Sequence, residues 1–286
     1  MSMKSNRLAM VRTILTRLVI YIVLLIIAIM VLYPLLWVVG ASLNPINSVG
    51  KFNPIPPNPT FDNYIKLFSK TKYLNWFLNT GYIAVLTMFF AVIINTITAF
   101  VLARFRFKGR KAGMMFVMIL QTFPSFMSMT ALYMIALNFG MLNNLNMLVI
   151  IYVAGGIPMN IWITRGYLLN LSKSLDEAAY IDGASKLQVF VKILLPLSVP
   201  IISFIAFTAF MGPWMDYMLP RLLISSDKNQ TLAIGLYNMI TPYNIGSYFT
   251  TFCAGAVLVA VPITILYLVF QRFLITGLAA GANKGE

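Results

Sequence analysis

Six long apolar runs, at about 18–42, 80–103, 113–136, 147–166, 198–221 and 251–275, leave this chain few ways to fold. A hydrocarbon core about 30 Å thick takes about 20 helical residues to cross. Inside lipid, backbone N–H and C=O groups must pair within the protein, so each run reads as a helix. The predicted class is an all-α integral membrane protein with six transmembrane helices. Composition agrees: 60% of residues are hydrophobic and 10% charged, where a soluble domain carries about 25% charged residues. The first run is too long for a signal peptide's apolar region and shows no small-x-small cleavage site, so it reads as an anchor. Pro34, Pro124, Gly155, Gly156, Pro158, Pro213 and Pro262 fall within spans, where kinks are expected because neighbouring helices can shelter the freed carbonyls.

Charge sets the expected orientation. Of 21 Lys and Arg, 15 fall on the side holding the N-terminus, the loop "RFRFKGRK", the segment 167–196 and the tail, and 6 on the other. The positive-inside rule then puts both termini in the cytoplasm of a multi-pass cytoplasmic (inner) membrane protein. The net charge of +14 is thereby accounted for as topogenic, without nucleic acid as a partner. The expected organisation is a cytoplasmic N-terminus (1–17), a six-span body (18–276) and a cytoplasmic tail (277–286). Within the body lie an external segment (44–79), a cytoplasmic loop (167–196) and an external loop (222–250). In the first external segment Phe61, Tyr64, Ile65 and Phe68 have helical spacing, with Tyr73, Trp76 and Phe77 following as aromatic anchors at the membrane surface. The 222–250 loop, rich in Ser, Asn, Tyr and Gly, reads as a connector or a docking loop.

The chain has no His and one Cys, Cys253, which removes His-based relays, internal disulfides and Cys/His metal sites. Its scarce acids are unevenly placed. Three of the seven, Asp176, Glu177 and Asp182, fall inside "SLDEAAYIDGAS" (174–185). Ser174-x-x-Glu177 has capping-box spacing, and Asp176 and Glu177 sit where a helix dipole favours negative charge. The segment reads as a short helix, a turn at Gly183, and a second helix running to Pro196. On residues alone it is either a well-capped connector or a helix pressed by Ala178 and Ala179 into a partner's groove.

"EAAYIDGASKLQVFVKILLPLSVP" resembles the cytoplasmic EAA loop of ABC importer permeases, in its carbohydrate-importer variant. "PTFDNYIKLF", "AFVLARFRFKGRK" and "FLITGLAAGANKG" are similar to the second, shorter permease subunit of sugar importers. "WITRGYLLNLSKSLDEAA" and "FPSFMSMTALY" resemble the maltose/maltodextrin type in particular. The resemblance implies the type I ABC importer permease fold and a partnership with a homologous second permease, two ATPase subunits and an extracytoplasmic sugar-binding protein. It further implies that the island is a coupling helix seated in a cleft of the ATPase. Glu177 would meet a basic group there, Ala178 and Ala179 would allow close docking, Gly183 would turn the chain, and Asp176 and Asp182 would flank the contact. The tail residues Gly281, Asn283, Lys284 and Gly285 would reach the ATPase dimer interface. In the maltose type, most of the bound sugar is held by the other permease.

No G-x-x-x-x-G-K-[ST] occurs, so this chain is expected to bind no cofactor, with ATP and magnesium on the partner ATPase. No nucleophile, base and metal cluster converges as an enzyme would need. Asn95, Gln121, Asn160 and Trp162 are the polar and aromatic residues within spans that could line a sugar route, although such groups also serve as interhelical hydrogen bonds. The alternatives are an ion-coupled secondary transporter, for which Asp216 is the sole intramembrane acid candidate, and a passive channel subunit. Asp216 is expected near the outer mouth, paired with Arg221.

Overall fold

A computed structural model describes the backbone of residues 2–47, 49, 56–122 and 124–282, with side chains except those of 2–12, 125 and 274–282. Every regular element among these residues is helical. Four helices are long and apolar enough to cross a membrane, and two bent pairs bring the number to six if each pair is one span. The described residues form two compact units, one from within 1–71 and 239–258, the other from within 72–238 and 259–286.

In the first unit, helix α1 (Ser2–Ser42) extends through the expected polar N-terminus as one continuous helix. Many of its apolar side chains, Leu24, Leu25 and Ile26 among them, are more than half exposed, as suits a helix solvated by lipid. Helix α2 (Asp62–Lys70) keeps Phe61, Ile65 and Phe68 outward and buries Leu67 and Asn63. Tyr64 departs from the expected outward stripe, because its hydroxyl bonds Ser42 Oγ at 2.8 Å. Asn63 is the hub: Nδ2 donates to the carbonyls of Ser42 and Asn44, and Oδ1 accepts from Thr250 Oγ1. Buried polar groups persist when paired in this way.

The second unit is built on helix α3 (Tyr73–Arg104). Thr80, Ala84, Thr87, Ala91, Asn95, Ala99 and Ala103 form one buried face of small or polar side chains at spacings of three and four. Such a face lets neighbouring backbones approach closely in a membrane bundle. Tyr73 and Trp76, expected as surface anchors, are buried instead. The expected single span 113–136 is broken into α4 (Arg110–Gln121) and α5 (Ser125–Asn138), bent by 104°. Pro124 is the cause, since it lacks an N–H and disfavours helical geometry in the residue before it. Helix α6 (Leu145–Asn170) carries Pro158 without ending.

After the polar island come α7 (Lys173–Ile181), α8 (Lys186–Val189), a π-helical turn (Phe190–Leu194) and α9 (Leu195–Leu197). Helix α10 (Val199–Met215) then departs at 73°. Ser198 sits at that bend between Pro196 and Pro200, its hydroxyl donating to Leu194 O at 2.6 Å. The fifth span ends six residues early, at Met215, because Asp216 turns extended and its Oδ1 accepts from Leu219 N at the start of α11 (Met218–Leu223). Asp216 pairs with Tyr152, whose hydroxyl donates to Oδ2 at 2.9 Å, rather than with Arg221.

The expected 222–250 loop is largely structured. A 3-10 turn (Asp227–Asn229) and helix α12 (Leu232–Met239) lead to α13 (Ile245–Ala282), which carries Pro262 within it. Leu232 and Ile234 are fully buried, and Leu232 N donates to Thr80 Oγ1 at 2.8 Å. Gly235 lies against Trp76 so closely that a Cβ there would fall 2.1 Å from the indole. Apolar burial, invisible in the polar average of this segment, holds it to the N-terminal end of α3.

Candidate functional site

The island folds as a helix, a turn and a helix, but its capping differs from expectation. Ser172, not Ser174, is the N-cap of α7: its Oγ accepts from Ser174 N, and Glu177 closes no capping box. The capping box lies one helix later, where Ser185 Oγ accepts from Gln188 N and Gln188 Oε1 accepts from Ser185 N. At the other end of α7, Ala184 N donates to Ala179 O and Gly183 N to Tyr180 O. This is the Schellman arrangement, and Gly183 supplies the positive φ, 82°, that it requires.

Helix α7 has two faces. Inward, Ala179 packs with Ala99, Phe100, Ala103, Leu168, Val189 and Leu194 in a buried cluster at the C-terminal end of α3. Phe190, in the π-helical turn, packs on Phe100 in a tilted pair, 4.5 Å between ring centroids. Asp176 is also turned inward, where its Oδ2 meets Arg104 Nε at 2.7 Å with both side chains about nine-tenths buried. The contact is ionic rather than a linear hydrogen bond, since Arg104 Nε and Nη1 and Asp176 Oδ1 find no hydrogen-bond partner among the described residues. Arg104 Nη2 adds a bond to Leu171 O at 3.3 Å. Burial pushes the Asp176 carboxyl up from its ordinary pKa, Arg104 pulls it back, Glu177 raises it and Lys173 lowers it.

Outward, Glu177, Ala178, Asp182 and Gly183 are exposed, together with Leu175, Tyr180, Leu187 and above all Ile181, which is 87% exposed. Of the six island residues assigned to one contact surface, four therefore share the open face, while Asp176 and Ala179 hold the helix to its own bundle. Arg104 was hidden from sequence reasoning because it is one of five basic residues in a loop whose charge already had a topogenic explanation. Ile181 was hidden by ordinary helical spacing.

The four candidate route residues do not converge. Asn95 is fully buried, with Nδ2 donating to Ala91 O of its own helix at 2.7 Å. Asn160 lines a cavity of about 220 Å³ with Thr87, Tyr152 and Thr208. Trp162 lines a separate cavity of about 1130 Å³, and Gln121 is exposed at the end of α4. In the tail, Gly281 belongs to α13, whereas Asn283, Lys284 and Gly285 lie outside the described residues. Among the described residues no cluster of three or more acidic or Cys side chains could hold a metal.

Residues 95–278, which include the whole island, match the family described as binding-protein-dependent transport system inner membrane component. The chain belongs to this family. Its members are membrane permease components rather than enzymes, and this one is a multi-pass membrane protein. The galactooligosaccharides transport system permease protein GanQ of Bacillus subtilis is 38% identical over 93% of this chain and 94% of its own length. The maltodextrin transport system permease protein MdxG of the same organism is 38% identical over 93% and 95%. The maltose/maltodextrin transport system permease protein MalG of Vibrio vulnificus is 36% identical over 90% and 92%. A chain from the crystal structure of a bacterial ABC transporter involved in the import of the acidic polysaccharide alginate matches with a TM-score of 0.77. It covers 96% of this chain and 99% of its own at 22% identity, so this permease component shares its fold.

Proposed function

We propose that the chain is one permease subunit of an ATP-driven, binding-protein-dependent importer of maltodextrin-type oligosaccharides, in the cytoplasmic membrane with both termini inside. It works with a homologous permease, two ATPase subunits and an extracytoplasmic sugar-binding protein. It binds no cofactor itself, and ATP and magnesium belong to the ATPase. The relatives named for oligosaccharide and maltodextrin transport support the cargo class. The observation that carries the coupling role is the division of α7 into an open face, Glu177, Ala178 and Ile181, and a seated face, Asp176 and Ala179.

Force on the open face reaches α3 through two contacts that resist it differently. The Ala179 cluster is close-packed and bears compression. The Arg104–Asp176 pair resists sliding, because separating two buried charges is costly. The short, acidic and apolar face fits a groove with a basic rim, with Ile181 as the anchor side chain. Gly281, Asn283, Lys284 and Gly285 would add a second ATPase contact. Asp216 is engaged by Tyr152 and by the α11 amide, so an ion-coupled mechanism gains nothing from it.

The test is ATP-driven oligosaccharide uptake in vesicles reconstituted with the partner subunits. Glu177→Lys and Ile181→Asp should each insert normally and reduce coupled uptake by at least about tenfold, the loss of a single interface anchor. Normal uptake in both variants, or accumulation without any ATPase, would refute the coupling assignment.

A further inference from the structure

Where the α3–α4 connection, α4 and α6 approach one another near the seated face of the coupling element, they line the open cavity of about 1130 Å³ already noted for Trp162. Its lining has two parts. Arg106, Arg110, Lys111 and Arg165 contribute cations, and no Asp or Glu is among the lining residues. Two of the cations are fixed by main-chain carbonyls: Arg165 Nε donates to Leu102 O at 3.2 Å and Arg110 Nη1 to Phe105 O at 3.0 Å. Bonds to carbonyls orient a guanidinium without neutralising it. The rest of the wall is apolar, with Met115, Met118 and Ile119 following one another along α4 and all about half exposed or more.

The two parts lie in the order that a bilayer imposes. The cations occupy the α3–α4 connection (Arg106), the first turn of α4 (Arg110, Lys111) and the last turns of α6 (Arg165), where spans leave the hydrocarbon. The methionines lie further along α4, toward its break at Pro124. A cationic rim above an unbranched, adaptable apolar wall is complementary to a molecule with an anionic head and a hydrocarbon chain. An oligosaccharide would present hydroxyls to that wall and no charge to the rim.

We infer that this cavity is a binding site for one anionic phospholipid, its phosphate held by Arg106, Arg110 and Arg165 and one acyl chain lying along Met115, Met118 and Ile119. The same arginines 106 and 110 also line a smaller polar cavity with Arg104, Asp176 and Glu177, so the headgroup would sit beside the base of the coupling helix. The assignment gives Trp162, one of the candidate route residues, to the wall of a lipid site, and it does not depend on which sugar is carried.

The purified full-length chain in detergent, titrated with phosphatidylglycerol or phosphatidylcholine of identical acyl chains and read by native mass spectrometry, tests this. Phosphatidylglycerol should bind with a preference of roughly tenfold or more, because both lipids carry the phosphate but only phosphatidylcholine adds a quaternary ammonium, which the cationic rim repels. Arg110→Gln/Arg165→Gln should lose that preference. Because removing those two could disturb the fold, Arg106→Gln/Lys111→Gln, whose side chains are more exposed, should lose it too. Lys70→Gln/Lys228→Gln, with the same change in net charge elsewhere, should retain it. Equal binding of the two lipids, or a preference surviving in both cavity variants, would overturn the assignment. So would competition by inorganic phosphate at lipid-like concentrations, which would mark a free-anion site. A dimer of the chain that excludes lipid would overturn it as well.

Discussion

Arg104 and Asp176 form a buried ion pair in a chain with only seven acids, and its value is positional rather than simply stabilising. Removing one member leaves the other charge buried, a loss of about 3–5 kcal/mol, whereas replacing both with apolar residues is often neutral. Arg104→Met should therefore loosen α7, seen as faster amide exchange from Leu175 to Ile181. Arg104→Met/Asp176→Leu should restore most of that protection but slow coupled uptake, because the register of α7 on α3 is then fixed by packing alone. The carboxyl also makes a prediction with a definite sign. Its pKa is raised by burial from 3.8, so the folded protein holds this proton more tightly than the unfolded chain. Stability contributed at this position is greatest below 3.8 and falls as pH rises through the raised value. The difference in thermal stability between wild type and Asp176→Asn should change in that direction across the window, and a flat difference would contradict the burial. Asp176 was legible in the sequence as a first-turn acid. That it faces inward was not, because only the contact with Arg104, 72 positions earlier, distinguishes a seated acid from a capping one.

Among the elements, the turn after α7 was the most readable, since a glycine following a short amphipathic run specifies its own backbone geometry. The space around Gly183 is open, so Gly183→Ala meets no clash and tests the positive φ alone. The expected cost is about 1–2 kcal/mol, visible as lost protection of the Gly183 and Ala184 amides, with Gly183→Asn less affected. Caps were less legible: "LSKSLDEAA" contains two serines at the start of one helix, and which one caps depends on where α6 releases the chain after Asn170. The six spans read from hydropathy match the structure only when each bent pair is counted as one span, and their continuity was not legible. Pro124 breaks a span, while Pro34, Pro158, Pro213 and Pro262 lie within helices. The difference is set by what surrounds each proline, which a hydropathy window does not contain.

For the molecule as a whole, the proposed orientation rests on the 15 to 6 division of basic residues and can be measured directly. With buried Cys253 replaced by Ser, Ser174→Cys should label only with reagents reaching the cytoplasm and Lys228→Cys only with reagents outside. The reverse pattern would invert the assignment, and labelling of both from one side would abolish it. The two positions stand at opposite ends of α3, whose 32 residues make a rod about 48 Å long. At its Arg104 end the rod is clamped to α7. Toward its Tyr73 end, Asn75 and Asn79 grip the carbonyls of Lys228 and Gln230, and Lys72 pairs with Asp227. A swing of about 10° at the clamped end would carry the far end about 8 Å, given that length. A rotation of that size about the packing around Ala179 would thus become, by leverage alone, a displacement wider than a sugar ring at the far end of the helix.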